Sequence, residues 1–314
     1  MHGSARSVVL WFASLILAPC SLGQSLAPRA YTITPVGSNA VTVTGNVYTG
    51  AILFDPSVPI TGASGSIGIF LPTYYHGFSF FGRSANITGG IPYSVGTFKG
   101  TVVDHKENLY RSGLGDGFVR FSVNLKGGKA MKLPEFKKWK QKRLLGASLL
   151  VEFPSGQYDP TKLINIGINR WAFKPEFGYS QRWGNWVLDG YAACWFFTTN
   201  PEFFSHNQYY PGTRSQSQEP IGAFEGHLSY DIKPRLWASF DANFWTGGIT
   251  SLDGIANPAT LQRNSRIGAT VSFPVSKHQS LKVSYANGAY IRFGGDYQAV
   301  SLAWQYSWLG RHLK

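Results

Sequence analysis

Two side chains in the segment AFEGHLSYDI, residues 223–232, have the types and spacing that nucleophilic chemistry needs. His227 and Ser229 lie two residues apart, so an extended strand would turn both side chains to one face. A serine nucleophile also requires its base within hydrogen-bond distance and a third group that orients the base. The sequence pattern identifies no residue that would orient His227, so we predict that the protein is not an enzyme. A membrane-embedded hydrolase is the least favoured alternative.

The other reactive residue types are scattered along the chain. The remaining histidines with metal-binding potential, His76, His105, His206 and His278, lack the spacing of metal ligands, and no glycine-rich phosphate loop is present. Cys194 lies among apolar neighbours and is predicted to be a small wall residue rather than a reactive thiol. We therefore predict neither a metal nor a cofactor.

The first residues predict export. Arg6 precedes the apolar run 8–18, which is too short to span a bilayer, and residues 21–23 have the small-x-small spacing of a cleavage site. We predict that residues 1–23 form a cleaved signal peptide. An uncleaved anchor and a lipoprotein signal ending at Cys20 are the alternatives.

Composition limits what the mature chain, residues 24–314, can be. Aromatic residues make up 15% of the sequence, glycine occurs 36 times and the mean hydropathy is −0.11, as expected of a barrel whose oily and polar faces average out. Cys194 would be its single cysteine, so no internal disulfide is predicted, and no apolar run is long enough for a transmembrane helix. The net charge of +13 alone would suggest nucleic acid, but the export signal argues against such a partner.

Apolar and polar residues alternate strictly in many segments, among them 119–125, 223–232, 236–245 and 300–308. About twelve such segments have the length of tilted membrane strands. They are 40–53, 66–81, 84–102, 113–126, 144–154, 169–183, 186–199, 219–232, 235–247, 264–276, 279–293 and 296–308. Charges lie on the polar face of nearly every segment, which favours a membrane barrel with a polar lumen over a soluble sandwich.

The connections between these segments support the same fold. Tight turns follow the second, sixth, eighth and tenth segments, whereas long loops follow most of the odd ones. The predicted long loops are 54–65, 103–112, 155–168, 200–218 and 248–263. Short periplasmic turns and long external loops are typical of outer-membrane barrels. We predict an all-β protein, a transmembrane antiparallel β-barrel of about twelve strands in the outer membrane, formed by residues 24–314.

The alternation also predicts which ionisable side chains line the lumen. They are Arg120, Lys174, Arg182, Lys282 and Arg292, the acidic Glu152, Glu176, Asp189, Glu225, Asp231 and Asp241, and His227. This balance of signs predicts little selection by charge. Paired charges could partly plug the narrow bore, or they could simply hold the shape of the wall.

Two further features bear on transport. Aromatic side chains that could stack on a flat ring occur in the loop 200–218 at Phe203, Phe204, Tyr209 and Tyr210. Residues that weaken a ladder occur in the second and third segments at Pro72, Gly89, Gly90 and Pro92. They predict a bend there, which could either open a side exit for an apolar solute or only accommodate curvature.

The connection KGGKAMKLPEFKKWKQKR, residues 126–143, is strongly basic. It contains eight basic residues and one acidic residue, a net charge of +7. Pro134 suits the first turn of a helix, and Phe136 and Trp139 are spaced to share one face. We expect either a short interfacial helix on anionic headgroups or a solvated run of charges.

Several longer stretches are similar to one family. GQYDPTKLINIGINRWAFKPEFGYS (156–180), WVLDGYAACWFFTTN (186–200), NLKGGKAM (124–131) and FGRSANIT (81–88) resemble outer-membrane transporters named for the meta-pathway of phenol degradation. The resemblance implies an outer-membrane barrel that admits small, often aromatic, growth substrates, and it supplies no binding residues. The chain departs from the usual barrel ending, because LGRHLK follows the last aromatic residue, Trp308.

Together these observations predict a porin-like channel for small, aromatic or weakly polar solutes. Its expected partners are outer-membrane lipid, those solutes and the barrel-assembly machinery, with no nucleic acid. A structural or adhesive barrel without transport is the main alternative.

Overall fold

The computed structural model describes residues 27–53, 60–102, 105–208 and 210–310. The predicted signal peptide, Tyr209 and the last four residues of the chain lie outside this part. No helix in the described residues is long and apolar enough to cross a membrane.

Strands make up most of the described chain. In order they are β1 (Ser38–Leu53), β2 (Ile60–Phe80), β3 (Arg83–Gly90), β4 (Tyr93–Val102), β5 (His105–Leu114), β6 (Gly117–Lys126), β7 (Arg143–Phe153), β8 (Ala172–Trp183), β9 (Trp186–Phe197), β10 (Gln216–Gln218), β11 (Ile221–Lys233), β12 (Leu236–Gly247), β13 (Thr250–Leu252), β14 (Ile255–Asn257), β15 (Gln262–Pro274), β16 (Gln279–Ile291) and β17 (Gly294–Leu309). One short helix, α1 (Leu133–Lys138), lies between β6 and β7.

The large sheet closes on itself. Neighbouring strands pair antiparallel, and β1 pairs with both β2 and β17. Strands β3 and β4 occupy one position in the barrel, and β5 and β6 occupy the next. Counted in this way, the barrel has the predicted twelve strands, and the fold class is confirmed. Closure leaves no unpaired edge in the hydrocarbon, where an unpaired backbone group has no water to bind.

Side chains alternate between membrane and lumen as the sequence predicts. On β12, Phe240 is 58% exposed, whereas its neighbours Ser239 and Asp241 are 6% and 0% exposed. On β17, Leu302 is 53% exposed and Ala303 is 5% exposed. The apolar set of each strand therefore faces outward, where lipid would surround it.

The predicted bend lies where two strands are interrupted. Strand β2 pairs with β4 as far as Phe70 and with β3 from Thr73 onward, so Pro72 lies between its two partners. A Cβ atom at Gly90 would lie 2.6 Å from the carbonyl oxygen of Pro72, so only glycine fits this close approach. The ladder is thus weakened at the predicted residues, while a side exit at this place stays a prediction.

Three predicted loops contain strands instead. Residues 105–114 form β5 and extend a hairpin with β4, although 103–112 was predicted to be a loop. Strands β10, β13 and β14, in the predicted loops 200–218 and 248–263, form a separate three-stranded sheet. Alternation does not reveal such strands, because a hairpin beyond the membrane can be polar on both faces: Lys106 and Glu107 of β5 are both exposed.

The lipid-facing surface leads to a stability prediction. Phe240→Arg, near the middle of β12, should lower the free energy of unfolding by about 2–4 kcal/mol, because it puts a charge near the bilayer midplane. Phe81→Arg, in the exposed turn between β2 and β3, should cost about 0–1 kcal/mol. Urea unfolding in phospholipid vesicles measures both, and equal costs would contradict the assigned lipid face.

Candidate functional site

The segment before β1 enters the lumen from the end of the tight turns. Tyr31, in this segment, is 2% exposed and lies between Gly146 of β7 and Gly178 of β8. A Cβ atom added to Gly146 would lie 2.2 Å from the Tyr31 ring, and one added to Gly178 would lie 2.1 Å from it. The two glycines therefore form the seat of the ring, and any larger residue would occupy its place.

Polar contacts hold Tyr31 in this seat. Its hydroxyl donates to Oε1 of Glu176 at 3.0 Å and lies 3.1 Å from Oγ of Ser148. The Arg120 guanidinium lies 5.2 Å from the centre of the ring and donates to the same Glu176 oxygen at 3.0 Å. The Tyr31 hydroxyl and Arg120 thus share one carboxylate, which fixes the segment across the bore.

A second contact holds the segment near the periplasmic end. Arg29 Nη1 lies 2.7 Å from Oδ1 of Asp231, and Arg182 Nη1 lies 2.5 Å from Oδ2 of the same carboxylate. The Arg29 guanidinium also stacks 4.4 Å from the ring centre of Trp237. One carboxylate on β11 thus joins the lumen segment to the turn region of β8. We call residues 27–33, with Tyr31 as their main anchor, the lumen segment.

A chain of paired charges lies along the lumen wall formed by β8, β11 and β12. Lys174 Nζ lies 2.8 Å from Glu176 and 3.7 Å from Glu225. His227 continues the chain, with Nε2 3.4 Å from Glu225 and Nδ1 2.9 Å from Asp241. Because these groups are buried, each depends on its neighbours to offset the loss of water. This is the paired-charge alternative of the sequence analysis.

His227 and Ser229 are not arranged as a nucleophile and its base. Asp241 does orient the imidazole of His227, a contact that the sequence did not reveal. The Ser229 hydroxyl, however, has no hydrogen-bond partner among the described residues, and the free side of the imidazole faces Glu225. The geometry makes His227 a member of the charge chain.

Above the lumen segment there is a small cavity. Its volume is about 100 Å³, and its walls include Ala30, Arg120, Lys174, Tyr191 and Glu225. A water molecule occupies about 30 Å³ of liquid volume, so the cavity is large enough for about three waters. The lumen segment contributes Ala27 and Ala30 to the walls of this cavity.

The extracellular half of the lumen contains a cluster of apolar and aromatic side chains. Trp195 of β9 and Trp245 of β12 belong to a buried cluster that also includes Leu71, Phe118, Leu150, Ala172, Ile221 and Ala223. Cations lie over its rings: Lys174 Nζ is 5.8 Å from the centre of Trp195, and the Arg266 guanidinium is 5.7 Å from the centre of Trp245. We call this region the aromatic chamber.

The predicted loop aromatics surround an arginine. Phe203, Phe204 and Tyr210 lie 5.8, 5.5 and 5.1 Å from the guanidinium of Arg214. Phe204 and Arg214 are both buried, and burial lowers the pKa of the Arg214 guanidinium from its ordinary value. The rings that were expected to stack on a solute are therefore already in contact with a cation of their own loop.

Of the twelve predicted lumen residues, all but Arg292 are buried or half-buried. The buried ones are Glu152, Lys174, Glu176, Asp189, Glu225, His227 and Asp241, and the half-buried ones are Arg120, Arg182, Asp231 and Lys282. Arg292 is a correction: β16 ends at Ile291, so Arg292 lies exposed in the following turn and donates to the carbonyls of Ala259 and Leu261. Cys194 on β9 is half-buried. No group of three potential metal ligands was found among the described residues.

Three interior arginines were missed by the sequence analysis. Arg266 follows Gln262 and Asn264 on the buried face of β15, so the alternation could have revealed it. Arg29 lies outside the regular strands, where no periodicity marks a lumen residue. Arg170 precedes β8 but falls in the predicted segment 169–183 at the same parity as Lys174, so the alternation could have revealed it too. Arg170 lies over Phe197 at 4.5 Å and donates to Gln218 of the external sheet.

The glycine seat predicts how the bore can be opened. Gly178→Ala should displace Tyr31, because overpacking costs about 1–3 kcal/mol, which shifts the ratio of displaced to seated ring by about 5- to 160-fold. Gly190→Ala is the matched control, because a Cβ there meets nothing within 4 Å. In planar bilayers, ion conductance should rise for Gly178→Ala alone. Unchanged conductance with Gly178→Ala would contradict closure by Tyr31.

Known proteins share the fold. An outer membrane channel from Pseudomonas putida F1 superimposes with a TM-score of 0.75 at 15% identity, covering 90% of this chain and 100% of that one. The beta domain of the Bordetella autotransporter Brka superimposes with a TM-score of 0.50 at 10% identity, covering 87% and 100%. No curated protein matches the sequence. Residues 31–297 match the family described as "Putative MetA-pathway of phenol degradation", so the resemblance is confirmed and the chain belongs to that family.

Proposed function

We propose that the protein is an outer-membrane channel for small aromatic or weakly polar solutes, and that the lumen segment closes it at rest. The aromatic chamber carries this proposal. It places Trp195 and Trp245 inside the bore, although the polar face of a barrel strand ordinarily supplies polar residues there. The description of the family by phenol degradation, and the channel from Pseudomonas putida F1 with the same fold, support it.

The chamber suits a flat, weakly polar molecule. Aromatic rings prefer offset or edge-to-face contacts with other rings, and such contacts add about 0.5–1.5 kcal/mol beyond the area that they bury. Lys174 lies over Trp195 and Arg266 lies over Trp245, and both cations can donate to a hydroxyl of the solute. A solute with an aromatic ring and one or two hydroxyl groups could contact both the tryptophan rings and the two cations.

Passage then requires the lumen segment to move. The cavity above the lumen segment measures about 100 Å³, whereas sites for drug-sized ligands measure about 300–1,000 Å³. The segment is held by side-chain contacts to Glu176 and Asp231 rather than by strand pairing, so it can leave without breaking the barrel. The chamber would bind the solute first, and displacement of Tyr31 would release it to the periplasm.

The location and partners follow from the same proposal. Export would remove residues 1–23, the barrel-assembly machinery would insert the barrel, and outer-membrane lipid would surround its apolar face. The exposed Phe240 and Leu302 support this environment, because a soluble protein rarely exposes so continuous an apolar surface.

A structural or adhesive barrel is the second candidate. The closed bore and the external sheet of β10, β13 and β14 favour it, because neither is needed for free diffusion. The two candidates differ in whether any solute crosses the barrel.

Flux into proteoliposomes tests the channel. A phenyl glucoside is compared with a disaccharide of similar size, because free phenol crosses a bilayer unaided. We expect the phenyl glucoside to enter faster, and Gly178→Ala to raise the flux of both solutes. No flux of either solute, even with Gly178→Ala, would leave the structural barrel.

The aromatic preference is tested separately. Trp195→Leu combined with Trp245→Leu keeps an apolar wall but removes both large rings, so the phenyl glucoside should lose its advantage while disaccharide flux is kept. Loss of about 0.5–1.5 kcal/mol per ring contact corresponds to a decrease of about 2- to 13-fold in the ratio of phenyl glucoside flux to disaccharide flux. The triple variant with Phe203→Ser, Phe204→Ser and Tyr210→Ser tests whether the loop aromatics contribute to the same preference. An unchanged preference in the tryptophan variant would remove the chamber from the proposal and keep the channel.

A further inference from the structure

A second concave site lies outside the lumen, at the periplasmic rim. It is an open groove of about 1630 Å³ between α1, the lumen segment and the ends of β7 and β8. Five cations line it: Lys126, Lys140, Lys142, Arg143 and Arg182. No acidic residue is among its lining residues, so we call it the basic groove.

Four of these cations, Arg143 among them, have no acidic partner among the described residues. Arg182 is paired with Asp231, and Arg143 donates to Gln181. Lys126, Lys140 and Lys142 form no ion pair with any described residue. Like charges gathered around one concave surface repel each other, and an anion placed among them removes that repulsion.

The basic groove also reaches the membrane face. Leu145 of β7 and Tyr179 of β8 both line it, pair directly across the two strands, and point outward with 38% and 43% exposure. Next to them, Trp183 and Trp186 are exposed at the β8–β9 turn, at the level expected for an interfacial aromatic girdle. An occupant can therefore place a charged group among the lysines and an apolar chain along the barrel wall.

The helix holds the lysines in this place. Phe136 and Trp139 stack at 6.1 Å and pack against a buried cluster of Ile33, Met131 and Leu144. The aromatic side of α1 is thus directed at the barrel end rather than at lipid. The connection 126–143 is anchored, which a freely solvated run of charges would not be.

We propose that the basic groove binds the anionic headgroup of a phospholipid in the inner leaflet of the outer membrane. The leaflet follows from the position of the groove, which lies at the end of the tight turns and of the lumen segment. The phosphate contacts Lys126, Lys140 and Lys142, and an acyl chain lies along Leu145 and Tyr179. Because Thr32 and Ile33 also line the groove, the bound lipid borders the segment that closes the bore.

Binding to the full chain in detergent micelles tests this site. Short-chain phosphatidylglycerol is titrated against short-chain phosphatidylcholine, and native mass spectrometry counts the bound lipids. Lys126→Gln with Lys140→Gln and Lys142→Gln should weaken phosphatidylglycerol binding on the order of 100-fold, from about 1 kcal/mol per charge near an anionic surface. High salt should weaken binding to the parent in the same direction.

The matched control lies in the same connection. Lys132→Gln with Lys137→Gln and Lys138→Gln removes the same charge from residues that do not line the groove, and it should keep most of the binding. Equal losses of phosphatidylglycerol binding in both triple variants would show that the lipid binds to the basic connection as a whole and not to the groove. Equal binding of the two lipids would overturn the anionic preference.

Two further measurements complete the test. Glycerol phosphate, which lacks acyl chains, should bind far more weakly than phosphatidylglycerol, and equal binding would make the groove a small-anion site. Faster migration of unheated samples on gels confirms that each variant is folded. If the triple variant does not fold, Lys140→Gln alone should still weaken binding by about fivefold, and no change would overturn the proposal.

Discussion

Every backbone amide and carbonyl inside a bilayer must find a partner within the protein, and the seam between β1 and β17 completes that requirement here. The two strands pair along their whole length, from Ser38 opposite Leu309 to Leu53 opposite Gly294. Without this seam, both strands would present open edges to hydrocarbon. Closure also fixes the two faces of the sheet, since alternate side chains must then point either to lipid or into one shared lumen.

That shared lumen is narrow, so its polar residues must be close together. Lys174, Glu176, Glu225, His227 and Asp241 come from three different strands and form one chain of contacts. A buried charge without a partner is costly, whereas a set of alternating signs offsets the loss of water. The network stabilises the wall, and it also supplies Glu176 as an acceptor for Tyr31.

The composition of the lumen changes along its axis. The extracellular half carries the tryptophans, and the lower half is crossed by a segment that belongs to no barrel strand. Glycines at 146 and 178 leave the space for the Tyr31 ring, which a strand with side chains at both positions could not provide. The barrel strands and the lumen segment are thus separate parts of the chain, and the basic groove lies next to the lumen segment at the periplasmic rim.

Alternation by itself determined the barrel, because a strand between lipid and a lumen must repeat its pattern every two residues. It therefore placed Phe240 outside and Asp241 inside, and the lengths of the connections gave the order of turns and loops. It could not place Arg29 or Tyr31, whose contacts are made across the bore with strands more than a hundred residues away. It also missed Asp241 as the partner of His227, because pairing between β11 and β12 brings them together. Local periodicity determines which medium a side chain faces, whereas the contacts inside the bore depend on which residues meet, and that is decided only when the sheet closes.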